Sequence, residues 1–158
     1  MTVILSSHTS LFIVSGAQTG ADRAGLDWAI SRGLSHGGWC PKGRRSEDGD
    51  IPVAYQLVET STSGYRQRTE WNVRDSDGTV IFTLSDKLDG GSKLTADFAA
   101  KHGRPYLHFR PGVHEKFLAQ FVQRHGIKSL NVAGKRESSA PGVYRFTFES
   151  LEKAFPPG

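Results

Sequence analysis

The sequence predicts an α/β fold: a mostly parallel sheet with helices on both faces. Three observations carry this. Mainly apolar runs recur at Leu11–Val14, Thr79–Leu84 and Ser129–Ala133, as strands buried on both faces require. Segments of helical period alternate with them. The joins are turns rich in glycine and hydroxyl residues, and strands that alternate with helices pair in parallel.

Leu11–Val14 is the first strand, and Ser15–Asp22 is a glycine-bearing turn. Leu26, Ala29, Ile30 and Leu34 then fall at helical spacing, with Gly33 as a stop. Asp22 suits a cap of that helix. His36–Cys40 reads as a second short strand, Pro41–Asp50 as a polar loop and Tyr55–Glu59 as another strand. Thr69–Asp75 reads as a helix closed by Asp77-Gly78. Gly90-Gly91 opens a helix that carries Leu94, Phe98 and Ala99 and ends at Gly103. Pro105–Phe109 is a strand. Val113, Phe117, Leu118, Phe121 and Val122 line one face of a helix that stops at Gly126. A strand over Ser129–Ala133 and a short helix before Phe155 complete the chain.

Length and composition bound the function. The 158 residues suit one ligand-binding domain over 1–158, with 1–10 and 156–158 as peripheral tails. A net charge of +4 fits an anionic small molecule and is too small to argue for nucleic acid. The single Cys40 allows no internal disulfide and points to a reducing, cytoplasmic setting. No apolar run approaches bilayer length. The six histidines show no paired metal-ligand spacing, so no protein-ligated metal is expected.

Right-handed crossovers place every strand-to-helix loop on one edge of a parallel sheet, where ligands bind. Ser15–Asp22, Ser85–Ser92 and Gly134–Ser139 each follow a strand. They are expected to face one cleft and to cradle an anion with backbone N–H groups at helix N-termini. Each loop alone is also compatible with a tight turn that binds nothing. Lys42 and Arg44, around Gly43, offer a phosphate or carboxylate clamp, or a solvated basic loop. Thr69, Asn72 and Ser76 share a helix face that suits a site lining or an exposed surface.

Taken together, Ser15-Gly-Ala-Gln-Thr-Gly-Ala-Asp-Arg-Ala24, Pro41-Lys-Gly-Arg44, Arg68-Thr-Glu-Trp-Asn-Val-Arg-Asp-Ser-Asp-Gly-Thr79, Gly90-Gly-Ser92, Leu94-Thr95 and Asn131-Val-Ala-Gly134 resemble the molybdenum cofactor carrier proteins. The resemblance runs from about Leu11 to Phe155. That family sits with the YpsA-type proteins and the lysine-decarboxylase-like "lonely guy" phosphoribohydrolases. The resemblance implies a circularly permuted, three-layer Rossmann-like sandwich and a homo-oligomer. It also implies molybdenum cofactor (molybdopterin) as the ligand, with molybdoenzymes as recipients. Carried over by position, the ligand contacts are Gly16, Thr19, Gly20, Lys42, Arg44, Thr69, Asn72, Gly90, Gly91, Ser92 and Ser138. The phosphoribohydrolases open the corresponding helix with Pro-Gly-Gly-x-Gly-Thr-x-x-Glu, whereas Asp89-Gly-Gly-Ser-Lys-Leu-Thr-Ala-Asp97 stands here. A non-catalytic carrier is the leading expectation. The alternatives are a nucleotide or nucleotide-sugar hydrolase using Asp97, or a nucleotide-sensing module.

Overall fold

The computed structural model describes residues 11–157, and the expected lead-in over 1–10 lies outside them. Strand β1 (Phe12–Val14) feeds helix α1 (Ala21–Ser31), followed by short strands β2 (His36–Gly37), β3 (Trp39–Cys40), β4 (Arg45–Ser46), β5 (Gly49–Asp50) and β6 (Val58–Glu59). Helix α2 (Tyr65–Arg74) leads to β7 (Gly78–Phe82), α3 (Gly90–Lys101) and β8 (Tyr106–Phe109). Helix α4 (Glu115–Arg124), β9 (Ser129–Gly134) and α5 (Val143–Ala154) complete the order.

The central sheet has five strands in the order β2-β1-β9-β7-β8, and every pairing in it is parallel. The last strand therefore lies in the middle. If β9 and α5 preceded β1, the order would become 3-2-1-4-5, the doubly wound arrangement whose switch point lies between strands one and four. Here that point falls between β9 and β7. All of Gly78–Phe82 is buried, as the apolar run predicts. Helices α1, α4 and α5 pack together on one face and α2 and α3 on the other. Trp28, Phe82, Phe109, Leu118, Leu130 and Phe155 anchor the largest core, while Ala17, Leu26, Cys40 and Ile51 form a second and Val73, Leu94, Phe98 and Ala99 a third.

Several elements differ from the sequence expectation. His36–Cys40 is not one strand: it breaks at Gly38, whose φ is +131°. A Cβ there would lie 2.5 Å from the Ser15 carbonyl oxygen and 2.9 Å from Oδ1 of Asn72. Trp39–Cys40 turns away and pairs with Val58–Glu59, which is all that forms of the expected Tyr55–Glu59 strand. The polar loop contains a small hairpin, Arg45–Ser46 on Gly49–Asp50. Helix α2 begins at Tyr65 rather than Thr69, and the final helix runs for 12 residues. Asp22 does not cap α1. Gly20 is the N-cap, and Asp22 points inward instead.

Candidate functional site

The loops after β1 and β9 and the first turns of α3, which follows β7, meet at the carboxyl edge of the sheet, around the β9/β7 switch point. They enclose a cavity of about 360 Å³ that α2 closes from the side, a size typical of small-molecule sites. Of the residues singled out in the sequence, Gly16, Thr69, Asn72, Gly90, Gly91 and Ser92 line it. Nothing lies within 4 Å of where a Cβ on Gly90 or Gly91 would point. The first turn of α3, with N–H groups that have no intrahelical partner, therefore faces open space. The Ser92 hydroxyl is already engaged, accepting from the Asp89 N–H at 3.2 Å. The Thr69 hydroxyl donates to the Tyr65 carbonyl at 2.9 Å.

Asn72 forms the wall in a particular way. Its Oδ1 accepts from the Trp39 N–H at 2.7 Å and its Nδ2 donates to the Trp39 carbonyl at 2.9 Å. The side chain thus copies a strand edge and pins β3 to α2.

Arg68 is the floor. It is 8% exposed, and its Nη1 donates to Oδ2 of Asp22 at 2.7 Å. Asp22 also accepts from the Gln18 N–H at 3.3 Å. Burial pushes the Asp22 carboxyl above the ordinary carboxylate range, opposed by Arg68 and by that N–H. Gly16 is glycine because Arg68 fills the space beside it: a Cβ there would overlap Nη1 and lie 2.9 Å from Cδ and Cζ.

Thr19, Gly20 and Ser138 sit behind the lining and join two of its loops. A Cβ on Gly20 would collide with the Lys135 carbonyl. Thr19 Oγ1, Ser138 Oγ and the Ser138 N–H all donate to the carboxylate of Glu47, which comes from the β4–β5 turn. Burial works against ionisation of Glu47, but these bonds prevail and hold its carboxyl below the ordinary range.

The structure does not bring Lys42 and Arg44 to the cavity. Lys42 is exposed and absent from the lining. Arg44 has a φ of +53°, and its Nη2 donates to the carbonyls of Pro52 and Tyr55, both at 2.9 Å. Its charge organises the 51–57 loop instead of a clamp. Asp97 is equally remote: its carboxylate accepts from Lys93 at 3.0 Å on the exposed side of α3.

The cations that do line the cavity are Arg66, Arg68, Lys135 and Arg136. Asp22 is the lining carboxylate, and it is bonded to Arg68. Lys135 is paired with Asp89 and also donates to the Asp89 carbonyl at 3.0 Å. Tyr65 stands among them, with the Arg68 and Arg136 guanidinium carbons 5.4 and 5.6 Å from its ring centroid. Sequence reasoning passed over Tyr65 and Gln18. Tyr65 lies before the expected start of its helix, whereas Gln18 stands inside the first glycine loop, where its side chain was a readable signal.

Two comparisons agree with this arrangement. Residues 13–155 match the family described as "Circularly permutated YpsA SLOG family". The crystal structure of a provisionally named molybdenum carrier protein from Syntrophus aciditrophicus SB superposes with a TM-score of 0.86 at 44% identity, covering 91% of this chain and 94% of that one. No curated protein matches the chain. The central position of β9 is what a permuted doubly wound sheet requires, and the chain belongs to the circularly permuted YpsA SLOG family.

Proposed function

We propose that this protein is a non-catalytic carrier of an anionic, phosphate-bearing pterin or nucleotide-like ligand, with molybdenum cofactor the leading candidate and molybdoenzymes as recipients. The observation that carries the reading is the charge of the cavity: Arg66, Lys135 and Arg136 at its sides, with Arg68 and Asp22 paired on its floor. Such a lining favours an anion and can bond it bidentately. The ligand phosphate takes the first-turn N–H groups of α3 at Gly90 and Gly91, together with Arg136 and Lys135. The planar ring system lies along Tyr65 and Thr69, beside Gly16. Among the described residues no group of three His, Cys, Asp or Glu is placed to hold a metal ion, so molybdenum would enter as part of the ligand. The hydrolase alternative gains nothing from Asp97, which points away from the cavity.

The test is direct. Protein purified from a host that makes molybdenum cofactor is denatured, and the released pterin is oxidised and identified by mass spectrometry. Stoichiometric pterin from the wild type, reduced in Arg136→Ala, supports the proposal. If neither a phosphorylated pterin nor inorganic phosphate binds the protein, the proposal fails.

A further inference from the structure

Gln18 carries a buried donor with no partner. The side chain is 5% exposed and lines the cavity. Its Oε1 accepts two backbone N–H groups, from Thr19 at 3.1 Å and from Glu47 at 2.9 Å. These two donors fix the orientation of the amide, since a flipped amide would set N–H against N–H. Nε2 is therefore directed away from them, and it has no hydrogen-bond partner among the described residues. Nε of Arg68, also buried on this floor, has none either. A buried donor left unpaired is costly, and two such donors on one cavity floor mark a place where a ligand acceptor completes the set.

We infer that Gln18 Nε2 and Arg68 Nε form a recognition subsite for a neutral hydrogen-bond acceptor on the ring system of the ligand. A lactam carbonyl, whose oxygen has two lone pairs, is the chemical class that fits. The inference rests on the cavity being the ligand site and adds the direction in which the ligand enters it. The floor suits a neutral group because Asp22 already answers the charge of Arg68 at 2.7 Å. Of the outer cations, Lys135 is already paired with Asp89, so the charge that a phosphate requires comes from Arg66 and from Arg136, whose carboxylate neighbour Glu47 stands off at 4.0 Å. The acceptor edge of the ring accordingly goes in first and the phosphate stays at the mouth. Glu47 is a positioning residue here, because its N–H helps hold the amide and its carboxylate ties the turn to Thr19 and Ser138.

The experiment compares three probes by calorimetric titration: inorganic phosphate, guanosine 5′-monophosphate, and 2-aminopurine riboside 5′-monophosphate, which lacks the ring carbonyl. The wild type is expected to bind the guanosine compound at least tenfold more tightly than its carbonyl-free analogue. Gln18→Glu keeps the acceptor for Thr19 and Glu47 but replaces the free donor with an oxygen. It should abolish that preference, read as the ratio of the two nucleotide affinities because the added charge weakens both together, and an unchanged melting temperature would exclude a folding effect. Equal affinities for the two nucleotides, no binding of either while phosphate binds, or a preference that survives in Gln18→Glu would each overturn the subsite. Failure of phosphate itself to bind would overturn the anion-site reading beneath it.

Discussion

The guanidinium of Arg68 occupies the space that a side chain on residue 16 would need, with Cδ and Cζ 2.9 Å from the position of a Cβ there. Gly16 and Arg68 are thus a matched pair across the cavity floor. Gly16→Ala is expected to push Arg68 off Asp22 and to destabilise the protein by about 1–3 kcal/mol, the usual cost of overpacking. Arg68→Ala should cost more, about 3–5 kcal/mol, because it leaves Asp22 buried without its partner. Urea unfolding of both variants checks the ranking.

Arg44 and Arg136 separate stability from binding. Arg44→Ala removes the bonds to the Pro52 and Tyr55 carbonyls. It should lower stability by about 1.5–3 kcal/mol, the range for hydrogen bonds to charged groups. Anion affinity of the folded fraction should stay as it was. Arg136→Ala should reverse the pattern, with binding of a phosphorylated pterin about ten- to a hundredfold weaker and unfolding nearly unchanged, since a half-exposed charge contributes little to folding. Titration and melting of the two variants side by side would expose a reversed assignment.

Asn72→Ala should loosen β3. The Trp39 N–H and carbonyl lose both partners on α2, at a cost of about 1–3 kcal/mol for groups left unpaired in a buried setting. Amide hydrogen exchange would locate the effect: protection should fall first at Trp39 and Thr60, whose N–H groups bond Asn72 and the Cys40 carbonyl.

Asp77 supplies a pH signature. Its Oδ2 accepts the N–H groups of Lys128 and Ser129 at 2.9 and 3.0 Å, where β9 begins. Those bonds, the Lys128 one foremost, hold its carboxyl below the ordinary range despite partial burial. A lowered carboxylate contributes stability above its unfolded value near about 3.9 and loses it as pH falls through the lower folded value. Asp77→Asn should cost about 1 kcal/mol at pH 7, and the gap to the wild type should close below about pH 4. A pH-independent gap would show that the charge of Asp77 plays no part.

The sequence made some of this legible and hid the rest for physical reasons. The buried run ending at Phe82 and the glycine turns at Ser15–Asp22, Gly90-Gly91 and Gly134 were readable because burial on both faces and chain reversal demand those residue types. Parallel pairing then forced the three loops onto one edge. The strands expected over His36–Cys40 and Tyr55–Glu59 form only in part, because the crowding at Gly38 and the Asn72 bonds to Trp39 are imposed from elsewhere in the chain, and the Arg45–Asp50 hairpin is too short and polar to be told from a loop. Arg44 was misleading because an arginine bonded to carbonyls and an arginine waiting for phosphate look alike in sequence. Tyr65 acquires meaning only once α2 swings an aromatic ring to the cavity mouth, and Gln18, visible as a polar side chain in the first glycine loop, gains a free donor only once the Glu47 N–H fixes its amide.

The place of β9 also sets when the protein can fold. A ribosome delivers β1, β2, β7 and β8 before the strand that joins them: β1 pairs with β2 and β7 with β8, but only β9 bridges the two pairs. Until Ser129–Gly134 emerges, the nascent chain is two half-sheets, each with an open inner edge that can pair with another molecule. Pairing Phe12 with Ser129 closes a long loop late and at an entropic cost, which slows folding. Growing cells faster or warmer should therefore raise aggregation of this chain more than that of a variant reconnected so that β9 is made first, and the soluble fraction at two growth temperatures would measure the difference.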